Sequence, residues 1–318
     1  MGESVPDPVS VVVCAYTDAR WPTLRDAVGM AQKQLRPDDE LIVVVDYNES
    51  LMTRCLESFS DCLILANNHR IGVSGARNTA LDKVSGSIIV FIDDDAVPVD
   101  GWLDLLRAPY ADEDVRGVGG FVEPYWSGGE PRWFPEEFLW VVGCSWRGLP
   151  TTRPEPVRNL IGANMSFRKA VFDQVGGFAE EMGRIRLRPL GCEETDLAIR
   201  LTQAEPDGVL LYVPASRVVH AVTQVRGSVR YFASRCWSEG LSKAELSRRV
   251  GRAPGLSAER AYTSRVLPAG LWRGLSESAG GDFWGAARSG AIMLGLAVTA
   301  AGYCAGALLR RSGRHEGK

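Results

Sequence analysis

The sequence has no excess of proline and no surplus of charge of either sign. It contains 17 prolines in 318 residues, and its 36 Lys and Arg stand against 39 Asp and Glu. Because 45% of the residues are apolar, this composition excludes a disordered or collagen-like chain. The lack of excess Lys and Arg argues against sequence-independent duplex binding, so we expect no nucleic-acid partner. The length fits two domains, or one α/β domain with an appendage.

Cysteine motifs and a leader pattern are also missing. None of the seven cysteines belongs to a CxxC pair, which disfavours a zinc ribbon or a redox motif. Most of them lie among apolar residues, as expected for small core side chains in a reducing compartment. The first ten residues, MGESVPDPVS, have neither the basic nor the apolar region of a secretory signal. We therefore expect the globular part to stay in the cytoplasm.

Apolar runs alternate with helical patterns in the first hundred residues. The composition predicts strands at 9–15, 41–45, 62–66 and 87–92, with helices at 21–35, 49–58 and 75–84 between them. This alternation predicts βαβ units and a mostly parallel sheet. The stretch 111–159 has no clear period and predicts loops and short strands. Beyond it we expect helices at 168–175, 193–203 and 228–251 and a strand at 209–213.

Acidic residues follow three of the predicted strands, where ligands collect in an open parallel sheet. These positions are Asp18 in Tyr16-Thr17-Asp18, then Asp46, and then Asp93-Asp94-Asp95. Three consecutive carboxylates repel each other unless a cation or hydrogen-bond donors lie among them. A hard divalent ion, Mg²⁺ or Mn²⁺, fits such oxygen ligands. The alternative is a solvated acidic turn.

A glycine-containing stretch, HRIGVSGARNTAL, opens the third predicted helix. Arg77 on this helix is suited to bind an anion or a carbonyl group, and Asn78 to hold a sugar hydroxyl or the chain itself. A plain helix start with a surface arginine is the alternative. Tyr16, at the end of the first strand, stacks on a base or packs against its neighbours.

These strings, taken in order, resemble the inverting nucleotide-sugar glycosyltransferases of family 2, which have the GT-A fold. The resemblance covers about residues 9–240 and rests on VSVVVCAYTDAR, VVVDYNES, NHRIGVSGARNTAL, SIIVFIDDDAVP, IGANMSFRKAVFDQVGGF and CEETDLAIRL. It implies a mixed, mostly parallel sheet flanked by helices in a domain at 1–250. We expect a helical C-terminal extension at 251–318, with an apolar segment at 289–309.

The resemblance also implies roles for single residues. Asp46 matches the acid that reads the uracil N3–H, and Asp93 and Asp95 match the outer acids of the DxD motif, with Asp95 as the foremost metal ligand. His220 matches a histidine that approaches the metal or diphosphate, although a histidine after an apolar strand is equally a structural residue. The remaining expected donor-binding residues are Tyr16, Thr17, Asp18, Arg77, Asn78, Asp94 and Asn164.

Inversion needs one carboxylate to remove the proton of the attacking acceptor hydroxyl. Family members place this base in an ED-x-D-L stretch that opens a helix, and the string here is Glu193-Glu194-Thr195-Asp196-Leu197. Glu194 stands where Asp is usual, which leaves the base open between Glu194 and Glu193. Asp196 caps the helix or binds acceptor hydroxyls. For all three acids the alternative is favourable charge at a helix N-terminus.

The C-terminal part combines a basic helix with an apolar segment. Basic residues accumulate after His220, either as a solvated helix face or as a surface for a lipid-linked acceptor phosphate or anionic headgroups. The 21 uncharged residues at 289–309 are long enough to span a bilayer, but their Ala and Gly content makes insertion marginal. Gly302 and Gly306 have the GxxxG spacing of helix contacts. We expect membrane association rather than a true span, with a buried soluble helix as the alternative.

Together these features predict a metal-dependent inverting glycosyltransferase. Its donor would be a nucleoside diphosphate sugar, with UDP favoured, and its acceptor a hydroxyl of a lipid-linked or cell-envelope glycan. A sugar nucleotidyltransferase is the first alternative, although CAYTDAR lacks the glycine-rich first turn of that class. A non-catalytic, membrane-associated nucleotide-sugar-binding protein is the second. No GxGxxG follows the first strand, which disfavours a Rossmann dehydrogenase.

Overall fold

A computed structural model describes residues 7–181, 191–249, 251 and 262–309, the last without its side chain. The chain divides into two compact units. The first unit comprises Met1–Glu123, Pro150–Ile185 and Glu193–His220, and the second comprises Pro124–Leu149, Arg186–Cys192 and Ala221–Lys318. A boundary near residue 250 stays a prediction from the sequence.

A mixed sheet forms the first unit, with the strand order β3-β2-β1-β4-β8-β6-β9-β5 and with β7 beside β9. Its parallel part consists of β1 (Val9–Ala15), β2 (Glu40–Val45), β3 (Leu63–Ala66) and β4 (Ile88–Asp93). The other strands are β5 (Ala96–Pro98), β6 (Val115–Trp126), β7 (Glu155–Pro156), β8 (Asn164–Arg168) and β9 (Val209–Val222). β8 runs antiparallel to β4 and β6.

Helices connect these strands. They are α1 (Trp21–Gln32), α2 (Glu49–Ser58), α3 (Val73–Leu81), α4 (Trp102–Arg107), α5 (Lys169–Val175) and α6 (Glu193–Ala204). β1, β2 and β4 are buried on both faces, since Val12, Val44 and Phe91 lie in one core and their neighbours in the chain are buried as well. Burial on both faces explains why the three strands read as unbroken apolar runs.

The main difference from the predicted elements is β6, a 12-residue strand in the stretch expected to hold only loops and short strands. Its sequence, VRGVGGFVEPYW, is rich in glycine and does not read as a strand. A side chain at Gly120 would overlap the Ser216 carbonyl oxygen and the Asn164 amide. Close approach of three strands therefore requires glycine here. β9 is also longer than the predicted 209–213 and continues to Val222.

The second unit is helical. Its helices are α7 (Val229–Arg249), α8 (Leu267–Ala279) and α9 (Trp284–Leu309), together with the 3-10 segment Glu136–Val142 and the π-helical turn Tyr262–Val266. Phe134 and Phe138 pack against Phe232 of α7 with ring centroids 5.2–5.5 Å apart. Glu137 is fully buried and pairs with Arg273 of α8 at 2.8 Å. This pair joins the 3-10 segment to α8.

The predicted C-terminal helical extension is confirmed by α8 and α9. Residues Trp284–Leu308 of α9 are long and apolar enough to cross a membrane, with a mean hydropathy of 1.8 over an 18-residue window. The predicted GxxxG pair packs within the chain, because a side chain at Gly302 would overlap the Trp237 carbonyl oxygen and one at Gly306 would press on Ala244. The basic stretch RRSGRHEGK at 310–318 and residue 250 of the predicted helix 228–251 lie outside the described residues.

Candidate active site

The sheet brings the ends of three predicted strands to one edge. β1 pairs in parallel with β2 on one side and with β4 on the other. Asp46, which follows β2, and Asp93, the last residue of β4, therefore lie at the same edge as residues 16–18, which follow β1. This is the edge at which α/β sheets bind ligands.

Asp93, Asp95 and His220 form a cluster in which one ligand atom from each lies within 4.8 Å of the others. His220 reaches the cluster because β9 pairs antiparallel with β5, which places His220 beside Ala96. The His220 Nε2 atom lies 3.1 Å from Asp95 Oδ1. Two carboxylates and one imidazole form a donor set that can hold a divalent metal.

Arg20 forms ion pairs with Asp94 and Asp95 of the acidic run. The sequence pattern did not predict this role. The Arg20 Nη1 atom lies 2.5 Å from Asp94 Oδ1 and its Nη2 atom 2.9 Å from Asp95 Oδ2. Burial raises the pKa of Asp94 to about 7, while Arg20 opposes that rise. The second oxygen of Asp94 is buried and has no hydrogen-bond partner among the residues that the structure describes. The expected contact of Asp94 with ribose or sugar stays a prediction.

Arg77 connects the acidic run to the start of α6. Its buried guanidinium donates to Glu193 Oε1 at 3.1 Å and to the Gly162 carbonyl at 3.2 Å, and Nη2 lies 3.6 Å from Asp93 Oδ1. The group also lies 5.2 Å from the centre of the Phe178 ring. A side chain at Gly162 would come within 2.9 Å of Arg77 Nη2. The small residue at 162 therefore admits the arginine.

The three acids of α6 have different surroundings. Glu193 is committed to Arg77, and Asp196 Oδ2 accepts from Arg200 Nε at 2.8 Å. Glu194 Oε2 is buried and lacks a hydrogen-bond partner within the described part of the chain. Burial raises the pKa of Glu194 to about 8, and the neighbouring Glu193 carboxylate adds to the rise. Of these acids, Glu194 has the chemistry of a candidate base, because its Oε2 oxygen is not committed and its raised pKa suits proton transfer.

The segments after β1 and β2 carry the residues expected to bind the nucleotide. Asp46 accepts from Asn67 Nδ2 at 2.6 Å and from the Gly72 backbone N–H at 3.0 Å, so its orientation is fixed. Asp18 accepts from Asn48 Nδ2 at 3.1 Å, and Thr17 accepts from the Ala19 N–H at 3.3 Å.

Two tyrosines lie exposed beside these acids. Tyr16 is 50% exposed, with the Arg20 guanidinium 5.1 Å from its ring centre. Tyr47 follows Asp46 with a left-handed φ of 48° and is 60% exposed. A non-glycine residue in this conformation is uncommon and is often found at functional sites.

Two expected donor-binding asparagines hold the chain itself. Asn78 exchanges hydrogen bonds with the backbone of Phe178, at 2.9 and 2.8 Å. Asn164 is fully buried, accepts from Trp102 Nε1 at 2.8 Å, and donates to the Phe121 and Ser216 carbonyl oxygens. For Asn78 this is the second of the two roles considered from the sequence. Donor contacts of either residue stay predictions.

The mixed sheet and its acidic edge define an α/β enzyme with the GT-A fold. Residues 10–176 match the sequence model described as Glycosyl transferase family 2. The chain belongs to this family and is a glycosyltransferase.

Two curated relatives differ in how much of the chain they match. The "Glucosyl-dolichyl phosphate glucuronosyltransferase" of Haloferax volcanii is 34% identical over 239 residues, which cover 74% of this chain and 76% of that protein. The "Pre-mycofactocin glycosyltransferase" of Mycobacterium tuberculosis is 28% identical over 160 residues. That match covers half of this chain but only 32% of the mycobacterial protein.

Two solved structures share the fold. The mannosyltransferase PcManGT from Pyrobaculum calidifontis, in complex with GDP-Man and Mn²⁺, has a TM-score of 0.55 at 20% identity. The match covers 97% of this chain and 79% of that one. GalNAc-T7 with UDP, GalNAc and Mn²⁺ has a TM-score of 0.57 at 15% identity, covering 83% of this chain and 58% of that one.

Proposed function

We propose that this glycosyltransferase is metal-dependent and inverting, and that it moves a sugar from a UDP-sugar to a hydroxyl of a lipid-linked or cell-envelope glycan. The observation that carries the proposal is the position of Arg77, whose guanidinium contacts both Asp93 and Glu193. Arg77 thereby contacts both a member of the proposed metal-binding cluster and the residue next to Glu194, the candidate catalytic base. This arrangement suits a reaction in which a diphosphate leaves as a hydroxyl attacks.

The proposed metal ligands are Asp95, Asp93 and His220. Both Mg²⁺ and Mn²⁺ take carboxylate oxygens, but an imidazole nitrogen suits a transition-metal ion better than Mg²⁺. We therefore favour Mn²⁺, the ion in both related structures described above. When bound, such an ion would neutralise charge that develops on the diphosphate leaving group. Arg20 fixes the second oxygen of Asp95 and so orients this ligand.

The proposed binding site for the nucleobase of the donor lies around Asp46 and Tyr16. The Asp46 carboxylate is oriented by two donors and has further lone pairs to accept an N–H from a base edge, such as the uracil N3–H. The half-exposed ring of Tyr16 offers a stacking surface, supported from one side by Arg20. Thr17 and Asp18 lie in the same segment, and we assign them to the ribose.

The proposed reaction is a single displacement with Glu194 as the base. Its deprotonated carboxylate would take the proton of the acceptor hydroxyl while the hydroxyl oxygen bonds to the anomeric carbon. The bond from that carbon to the diphosphate oxygen breaks in the same step, so the configuration inverts. Arg77 holds Glu193 and so keeps a second negative charge neutralised beside the base. Asp196 positions Arg200, which donates to the Gly177 carbonyl at 2.9 Å.

The proposed acceptor is linked to a lipid and used at the cytoplasmic face of a membrane. The Haloferax volcanii relative, named for a glucosyl-dolichyl phosphate acceptor, supports this choice. The apolar helix α9 would keep the enzyme near such a substrate. The proposal names neither the transferred sugar nor the lipid.

Two binding and transfer experiments test these assignments. Calorimetry against a panel of UDP-, GDP- and TDP-sugars with Mn²⁺ should show binding of a UDP-sugar, and lipid extracts should then receive the labelled sugar. Asp95→Ala should lose Mn²⁺ binding, whereas Glu194→Gln should bind donor and Mn²⁺ but lose transfer. Glu57→Gln, an exposed change on α2, is the matched control.

Several outcomes would contradict the proposal. Preferred binding of a GDP-sugar would overturn the donor assignment. Undiminished transfer by both site variants would overturn the site. Formation of a nucleotide sugar from a sugar phosphate and a nucleoside triphosphate would instead identify a nucleotidyltransferase.

A further inference from the structure

The outward face of α8 and α9 in the second unit is apolar along its whole length. Trp272 on α8 is 72% exposed, Phe283 in the connecting turn is 84% exposed, and Met293 on α9 is 64% exposed. Leu296 and Leu308 extend the same kind of surface along α9. A helix at the surface of a soluble protein normally turns charged and polar residues outward. Here Arg288 is the only charged residue between Trp284 and Leu308.

The inward face of α9 is fully used by packing within the unit. α8 runs antiparallel to its first half, with Gly274 against Gly285 and the Ser289 hydroxyl donating to the Leu271 carbonyl at 3.0 Å. α7 runs parallel to its second half, with Gly240 against Gly302. The packing of both halves fixes which face of α9 points away from the unit.

This packing is incompatible with α9 crossing a bilayer. Arg248 of α7 donates to the Gly306 carbonyl at 3.1 Å, close to the C-terminal end of α9. α7 also carries the paired Lys243 and Glu239 along the same stretch, and α8 carries Arg273 and Glu277. If α9 spanned the membrane, these charged helices would enter the hydrocarbon with it, which is strongly unfavourable.

We propose that α8, the turn and α9 form a monotopic membrane-docking surface, in which α9 lies in the plane of the lipid headgroups. This inference rests on the proposed function, since it names the lipid surface at which the acceptor would be met. Here the amphipathic element is the packed helical unit rather than α9 alone: the charged residues of α7 and α8 lie behind one apolar face, and that face would be buried at the boundary between headgroups and acyl chains. Trp272 and Trp284 are the aromatic residues that favour this boundary.

Charge complementarity identifies the surface as an anionic bilayer. Arg132 is 70% exposed and its guanidinium lies 5.6 Å from the Trp284 ring centre, beside the apolar turn. Arg265 is exposed two residues before α8 begins at Leu267. The acids of this region, Glu277 and Asp282, are each 2.6 Å from Arg288. Asp282 also lies 3.5 Å from Arg132, in a surface pair that solvent and salt screen. The exposed Arg132 and Arg265 can therefore still reach lipid phosphates.

Vesicle flotation of the full chain, without donor or metal, tests the proposal. We expect binding to vesicles of 70% phosphatidylcholine and 30% phosphatidylglycerol, weaker binding to phosphatidylcholine alone, and release by alkaline carbonate. Phe283→Glu and Met293→Glu should each lower the partition coefficient by about tenfold or more. Leu56→Glu, at a residue of similar exposure on α2, should bind like the wild type. Thermal melting of each variant checks that it is folded.

The exposed thiol of Cys304 on α9 gives a second readout. A maleimide should label it in the free protein and fail to label it on vesicles, and Cys304→Ala should remove this difference. Retention after carbonate would show a span and overturn the proposal. Unchanged flotation of both glutamate variants, or a stable dimer with no vesicle binding, would also overturn it. Because the assay involves no transfer, these results are independent of whether the proposed reaction occurs.

Discussion

Arg77 Nη1 lies 3.1 Å from Glu193 Oε1, and both side chains are almost fully buried. The contact joins α3 to the first residue of α6, 116 positions away in the sequence. The same guanidinium reaches Asp93 at the end of β4. One side chain thus links the acidic edge of the sheet to the helix that carries the candidate base.

Replacing Arg77 by lysine should lower kcat by about 100-fold or more, because one ammonium group cannot reproduce the planar contacts to Glu193 and Gly162. Replacing it by methionine should also destabilise the fold by about 3–5 kcal/mol, since a buried carboxylate loses its partner. Steady-state kinetics and urea denaturation measure the two effects. Arg25→Lys, at an exposed arginine of α1, is the control. Wild-type kcat in Arg77→Lys would remove Arg77 from the site.

The transfer rate should rise with pH towards a plateau above about 8. A base must be deprotonated to act, and burial raises the pKa of Glu194 to about 8. Below that pH most Glu194 side chains are protonated, so kcat/KM should fall about tenfold per pH unit. A profile of kcat/KM from pH 6 to 9.5 tests this, with Glu194→Gln expected to be slow and nearly independent of pH. A flat wild-type profile would argue against Glu194 as the base.

His220→Gln should weaken Mn²⁺ binding by about 10-fold or more, since loss of even an outer-shell partner of a metal site costs 10–100-fold. His69→Gln is a matched control, because His69 bonds to Asp82 and Glu180 outside the cluster. Calorimetry or electron paramagnetic resonance of Mn²⁺ gives both affinities without substrate. Equal affinities in the two variants would leave His220 with a structural role.

Gly120→Ala should destabilise the protein by about 1–3 kcal/mol, the usual range for overpacking. The added methyl group would overlap the Ser216 carbonyl of β9, and a backbone atom cannot rotate away. Gly29→Ala is the opposite control, since no atom outside its own helix lies within 4 Å of the added group. That change should stabilise α1 by about 0.5–1 kcal/mol. Urea denaturation measures both changes, and a neutral Gly120→Ala would contradict the close strand packing.

The parallel half of the sheet and the position of its acids follow from the sequence pattern. β1, β2 and β4 are continuous apolar runs, and each ends next to a polar residue that the parallel order brings to one edge. His220 could be placed with Asp93 and Asp95 only through the family resemblance, because their pairing depends on β9 meeting β5. No local sequence pattern can predict a contact between residues more than 120 positions apart.

The partners of buried polar groups could not be predicted in the same way. Arg20 reads as an ordinary residue at a helix start, yet it neutralises two of three consecutive carboxylates. Asn78 and Asn164 have the right chemistry for a sugar, yet their amides hold neighbouring backbone. β6 was missed because three glycines hide its period, although they permit the close packing of the strand. In each case a tertiary contact, rather than local sequence, decides the role.

β5 lies at the end of the strand order and has only three residues, yet it is the segment that follows Asp95 and pairs with His220. The ladder between β5 and β9 has only three residue pairs, so local opening there breaks few hydrogen bonds, even though Ala96 and Pro98 are buried. Fraying of this one ladder would separate the histidine from the aspartates while the core around β1 stays intact. The cation affinity of the cluster should therefore depend on local opening of the β5–β9 pairing. Ion binding should in turn slow hydrogen exchange in this pairing before it slows exchange elsewhere.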